Sequence, residues 1–233
     1  MENRKKIVIG LSGGMDSVTL LNHLLAEGHE VHCCIFNYGS KHNKYENKAA
    51  KDVVAYYKLY NISGLPVIPY FFDLTEILGN LNSALLKSSP EEIPEGHYAA
   101  ENMKTTVVPG RNLLFAAVMG SLAESIGATK IALGVHSGDH FIYPDCRTEF
   151  IKALDQTIYL STDKKVEVIA PFHDLDKEGI LRLGYASNLI PPYHLTRTCY
   201  KDQELSCGKC GSCNERLEAF ANIGKQDPIK YEN

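Results

Sequence analysis

The chain has 233 residues, 44% of them apolar, and a formal net charge of −4 at pH 7. That length suits one α/β domain with a small appendage, and the acidic balance excludes the broad basic face that phosphate backbones require. No stretch approaches the roughly 18 apolar residues of a membrane span, so a cytoplasmic protein acting on small molecules is expected, without a stable nucleic-acid partner. Met1-Glu2-Asn3-Arg4-Lys5-Lys6 reads as a polar lead rather than a secretory leader. Apolar runs and turn residues then predict strands at 7–11, 31–36, 67–72, 130–135 and 166–169. Helical periodicity predicts helices at 18–26, 43–60, 74–81, 112–126, 147–160, 176–183 and 214–223. The segment 87–105 has no period, contains Pro90, Pro94 and Gly96, and reads as a long loop. Strand–helix alternation favours a doubly wound, mostly parallel α/β sheet, with ligands beyond the carboxyl ends of the strands. The expected division is an α/β domain over 1–190 and a C-terminal segment over 191–233.

The turn after the first strand is Ser12-Gly13-Gly14-Met15-Asp16-Ser17. A glycine-rich turn between strand and helix gathers backbone N–H groups and the positive helix end at one point, which suits phosphate. Gly13 and Gly14 let the backbone approach the oxygens, and the hydroxyls of Ser12 and Ser17 donate to them. Asp16 repels bare phosphate, so its expected task is to hold Mg2+ that bridges the phosphates. The sequence carries no G-x-x-x-x-G-K-[ST], and this turn lacks G-x-G-x-x-G spacing. It resembles instead the pyrophosphate loop of the N-type ATP pyrophosphatases, whose S-G-G-x-D-S signature it matches at every fixed position. The resemblance implies ATP cleavage between the α- and β-phosphates, activating a carboxyl or carbonyl oxygen as an adenylate. The flanking Gly10, Leu11, Met15, Val18, Thr19 and Leu20 count with the turn as the expected ATP site.

Cys199, Cys207, Cys210 and Cys213 are spaced C-x7-C-x2-C-x2-C. Four thiolates so spaced suit one closed, structural Zn2+ per chain, and disulfides are the competing account. Cys33 and Cys34 lie inside an expected strand and read as small apolar residues. Cys146 stands in a polar loop, where a nucleophilic thiol is the lesser alternative.

Other polar clusters fall at expected strand ends. Val108-Pro109-Gly110-Arg111-Asn112 opens a helix, and Gly110 and Arg111 are candidates for a second nucleotide contact. Its competing account is a simple turn with Asn112 as N-cap. Asp139, Asp145 and Arg147 suit an amidine-edged ring bearing an acid: a carboxylate pairs with adjacent ring N–H groups, and a guanidinium pairs bidentately with the acid. A solvated loop ion pair is the alternative.

In chain order, S-G-G-x-D-S, Tyr38-Gly39 with His42, V-P-G-R-N at 108–112, Y-P-D-C-R at 143–147, Thr198-Cys199-Tyr200 and the C-G-x-C-x-x-C at 207–213 resemble the 7-cyano-7-deazaguanine synthases of the queuosine pathway. That resemblance implies an adenine nucleotide alpha hydrolase-like fold, a homodimer, and two-stage conversion of 7-carboxy-7-deazaguanine and ammonia to the nitrile. It places Ser12–Ser17 on pyrophosphate and Mg2+, and Arg111 near the nucleotide. Asp139 or Asp145 reads the ring edge, Arg147 holds the carboxylate, and Tyr38, His42 and Tyr143 line the substrate. Lys177 is left between reaching a phosphate and standing solvated at a helix start. The chain departs from the family pattern at Ser40-Lys41, Phe141-Ile142, Lys177-Glu178-Gly179 and Arg197. Two rival classes stay open: another pyrophosphate-loop enzyme, including a ligase that attaches the acid to an amine of a protein or nucleic acid, and a nucleotide-sensing module without turnover.

Overall fold

The computed structural model describes residues 5–60 and 64–232, so residues 1–4 of the polar lead lie outside the described residues. Its strands are β1 (Lys6–Gly10), β2 (Glu30–Asn37), β3 (Val67–Asp73), β4 (Lys130–Ala132) and β5 (Glu167–Ile169). They form one sheet in the order β3-β2-β1-β4-β5, and all four pairings are parallel. The helices are α1 (Met15–Ala26), α2 (Asn43–Tyr60), α3 (Thr75–Leu78), α4 (Arg111–Ile126), α5 (Thr148–Ser161), α6 (Lys177–Ala186) and α7 (Gly211–Asn222).

Both faces of the sheet are covered, which is why its central strands read as unbroken apolar runs. Side chains alternate between the faces. Ile7, Ile9 and Cys33 pack in a core with α1 and α2, whereas Val8 and Cys34 pack in a second core with α4 and α5. The sheet is therefore doubly wound, and its strand order reverses direction between β1 and β4. Ligand crevices form at such a point, beyond the carboxyl ends.

The differences from the sequence expectation concentrate where the site is built. Helix α1 begins at Met15, not residue 18, because Gly14 is extended and Met15 is fully buried. The glycine turn thus runs directly into the first helical turn. Strand β4 stops at Ala132; Leu133 still donates its N–H to Ile169, after which the chain leaves the sheet. Helix α3 is a single turn, and the expected loop over 87–105 runs into a 3-10 turn at Glu101–Thr106. Helix α4 is preceded by Gly110 in the left-handed region, with no side-chain cap of its own. The Asp145 carboxylate supplies the acceptor instead, taking the Asn112 N–H at 2.9 Å.

Gly13 has φ +80°, and a Cβ there would lie 2.5 Å from the Ala50 nitrogen and 2.9 Å from the Glu46 carbonyl oxygen. Helix α2 is packed against the turn itself. Gly13→Ala is expected to cost about 3 kcal/mol, combining a left-handed conformation with a backbone clash. Urea unfolding measures it, and a loss below about 1 kcal/mol would contradict this packing.

Candidate active site

One cavity lies at the carboxyl ends of β1, β2 and β4, lined by Gly10, Leu11, Ser12, Gly14, Asp16 and Ser17 from the glycine turn. Tyr38, His42, Arg111, Asp139, Tyr143 and Lys177 line it from other segments. Thus most residues singled out along the sequence converge there. Met15, Val18 and Leu20 belong to the apolar interior instead, and Thr19 is buried with its hydroxyl on the Met15 carbonyl oxygen.

Within the turn, the Gly14 N–H donates to Ser12 Oγ at 3.1 Å, and Ser17 Oγ donates to the Gly14 carbonyl oxygen at 3.0 Å. Beside it, Asp16 Oδ1 is buried without a hydrogen-bond partner. A buried acceptor of this kind is costly unless it meets a donor or a cation, so the residue present fits Mg2+.

Lys177 opens α6, where Asp176 caps the helix by accepting the Gly179 N–H at 2.7 Å. Its side chain is only 6% exposed, with Nζ at 2.5 Å from Glu215 Oε2 and 3.4 Å from Asp16 Oδ2. Burial opposes the charge, but the carboxylates of Asp16, Glu215 and Asp139 outweigh it and push the lysine well above its usual pKa. Because the folded-state value is raised, the ammonium and its stabilising pairs persist through neutral and mildly alkaline pH and are lost only as pH rises through that value. This is not a solvated helix-start lysine.

His136 stands at the same junction. Its Nδ1 accepts the Gly138 N–H at 3.2 Å, which leaves the proton on Nε2. That nitrogen faces Asp139 at 3.6 Å and Asp16 and Glu215 at 3.9 Å each. Glu215 escaped the sequence reading altogether. It follows Cys213 by two residues on α7, and nothing in the local pattern links it to a lysine 38 positions away.

The two open choices around Y-P-D-C-R have different placements. Asp139 lines the cavity, whereas the Asp145 carboxylate is held on the start of α4. Arg147 is not among the cavity residues; its Nε donates to the His140 carbonyl oxygen at 3.1 Å, and it precedes α5. Arg111 does line the cavity, its guanidinium carbon 5.8 Å from the Tyr38 ring centre and 5.9 Å from that of Tyr143. Cys146 is 3% exposed, and burial drives its thiol pKa well upward, so it sits there as a neutral group and not as a nucleophile.

The other four cysteines converge. All are buried, with their sulfurs within 4.8 Å of one another. Cys199 Sγ accepts N–H groups from Cys207 at 3.3 Å and Lys201 at 3.4 Å, and Cys207 Sγ accepts from Cys210 at 3.3 Å. Backbone donors aimed at a buried cluster of four sulfurs fit a tetrahedral zinc site with no open position. Arg197, a departure from the family pattern, builds the loop between the first two cysteines. It donates to the carbonyl oxygens of Gln203 and Glu204 at 2.6 Å and Lys201 at 3.1 Å, while its backbone N–H donates to Gly13.

A family model described as queuosine biosynthesis protein QueC matches residues 6–224. The chain belongs to this family. It is 43% identical to a 7-cyano-7-deazaguanine synthase of Pseudoalteromonas atlantica, over 98% of this chain and 99% of that protein. It is 45% identical to the synthase of Caldicellulosiruptor saccharolyticus, over 97% and 96%. The solved structure of an NMN synthetase from Francisella tularensis is similar at a TM-score of 0.48 and 15% identity, over 96% of this chain and 79% of that one. The chain is thus an enzyme of the 7-cyano-7-deazaguanine synthase family, and no helix among its described residues is long and apolar enough to cross a membrane.

Purified enzyme is expected to carry about one zinc per chain, and Cys210→Ser to lose it together with much of its solubility. Metal analysis decides this; a zinc-free wild type with thiols oxidised in the cell would overturn the assignment.

Proposed function

We propose that this enzyme converts 7-carboxy-7-deazaguanine and ammonia to 7-cyano-7-deazaguanine, consuming two ATP. One observation carries the reading: the S-G-G-M-D-S turn, a buried lysine paired with carboxylates and Asp139 open onto a single cavity, in a chain of this family. The acid oxygen attacks the α-phosphorus and pyrophosphate leaves; ammonia then attacks the acyl carbon, AMP departs, and a proton is lost to give the amide. In the second stage the amide oxygen is adenylated, and loss of AMP and the nitrogen's protons leaves the nitrile. No covalent enzyme intermediate is required, which agrees with the inert Cys146.

The residues then position and neutralise. Ser12, Gly13, Gly14 and Ser17 seat the pyrophosphate, Asp16 holds Mg2+, and Lys177 offers its charge to the phosphates. Bound Mg2+ supplies charge neutralisation at the leaving pyrophosphate. Asp139 accepts the adjacent N–H groups of the ring edge. Residues 191–232 of the C-terminal segment form a zinc-holding unit against the α/β body, and its metal is structural.

Incubation with 7-carboxy-7-deazaguanine, ammonium and Mg-ATP, followed by mass spectrometry, is expected to give the nitrile and AMP. Asp16→Asn is expected to lower acid-dependent AMP formation about 100-fold or more, the scale of losing one charge-stabilising group. AMP without nitrile would mean a different acceptor. No acid-dependent ATP cleavage in zinc-loaded enzyme would reject the substrate.

A further inference from the structure

We propose that Arg111, framed by Tyr38, Tyr143 and Tyr200, is the seat of the substrate's carboxylate, and that the surrounding aromatic rings hold its planar ring. The inference rests on the acid substrate proposed above. It departs from the sequence expectation, which gave the carboxylate to Arg147 and the nucleotide to Arg111.

The guanidinium of Arg111 opens onto the cavity with no carboxylate of the described residues in ion-pair range. Among the described residues, the arginines in ion pairs with carboxylates are Arg182 and Arg216. Asp145, whose charge is felt at Arg111, is committed to the Asn112 N–H. Tyrosines complete the surroundings, and they stay neutral: burial pushes the Tyr38 hydroxyl up to about 12 and raises Tyr143 and Tyr200 as well. A half-buried cation facing neutral hydroxyls calls for an anion, and a planar fork suits a carboxylate bidentately.

Hydrogen bonds and ring contacts tie the frame together. Tyr143 Oη is hydrogen-bonded to Thr106 at 3.0 Å and to Tyr200 at 3.4 Å. Phe115 stacks on Phe36 with centres 4.1 Å apart and meets Tyr38 edge-on at 5.7 Å. Walls of this kind suit a fused heteroaromatic ring. Phosphate oxygens of ATP are the other anion a guanidinium fits, but the phosphate turn has its own buried cation in Lys177.

The test is calorimetric binding to zinc-loaded wild type, Arg111→Gln and Arg111→Lys. The probes are the deazaguanine acid, its carboxamide, and Mg2+ with a non-hydrolysable α,β-methylene ATP analogue. Arg111→Gln is expected to weaken the acid about 10- to 100-fold, the scale of a charge-assisted hydrogen-bonded pair. The carboxamide and the ATP analogue should stay within about threefold. Arg111→Lys keeps the charge but loses the fork, and should weaken the acid about three- to tenfold. Unchanged acid affinity in both variants would overturn the inference alone, and so would a loss confined to the ATP analogue. Failure of the wild type to bind the acid would overturn the substrate reading and the inference with it. Unaltered zinc content and thermal midpoint certify each variant's fold.

Discussion

A buried ammonium cannot stand without counter-charges, and Lys177 sets the geometry of this enzyme for that reason. Removing an ammonium from water costs several kcal/mol, and only close, well-placed carboxylates offset it. The two partners come from opposite ends of the chain: Asp16 from the glycine turn that opens α1, and Glu215 from α7 beyond the last cysteine. The N-terminal glycine turn, the start of α6 and the cysteine segment must therefore meet at one place. Glu215 is what makes the C-terminal segment part of the site rather than an attachment to it.

The same segment is held by an unusual density of arginine donors. Arg216 has no exposed surface; it pairs with Asp227 through two bonds of 2.7 and 2.9 Å and also donates to Thr196, Thr198 and the Tyr193 carbonyl oxygen. Around the four sulfurs the only hydrophobic neighbours among the described residues are the partly buried Ile93, Tyr200 and Tyr231. Such a patch is too small to order a loop by apolar burial. Four sulfurs placed for metal ligation and the guanidinium–carbonyl bonds of Arg197 stand where a core would, and both interactions act at short range in defined directions. Order created at the sulfurs thus passes to the site along the chain, through Tyr200 beside Cys199 and Glu215 beside Cys213.

Legibility in the sequence followed the range of the interactions. The central strands, α2 over Asn43–Tyr60 and the four cysteines were readable because burial on both faces, helical period and ligand spacing are local patterns. The placement of the glycine turn between β1 and α1 was readable because consecutive residues specify it. What could not be read was which of two nearby like residues faces the cavity. Asp139 and Asp145 are six positions apart in one polar loop, yet one faces the cavity and the other caps a helix that begins over thirty residues earlier. Arg111 and Arg147 pose the same problem, and only the fold decides between them. Glu215 left no trace at all, since a carboxylate on a helix is ordinarily a solvated one.

The division of charge inside the cavity bears on how a single site could process an acid, then an amide. At the phosphate end, charge is dense and carboxylate is in excess: Asp16 and Glu215 flank one ammonium and an imidazole that also faces Asp139, an excess that Mg2+ would offset. At the Arg111 end, charge is sparse and the surroundings are aromatic. An aromatic wall grips a fused ring whatever its substituent, because stacking and apolar burial do not depend on the head group. A guanidinium, by contrast, discriminates strongly between a carboxylate and a neutral amide. On the proposed reading the ring would remain bound by the walls through both stages, while the hold on the head group relaxes as its charge is lost. That relaxation would free the amide oxygen to turn toward the second ATP, so the amide would need no separate site.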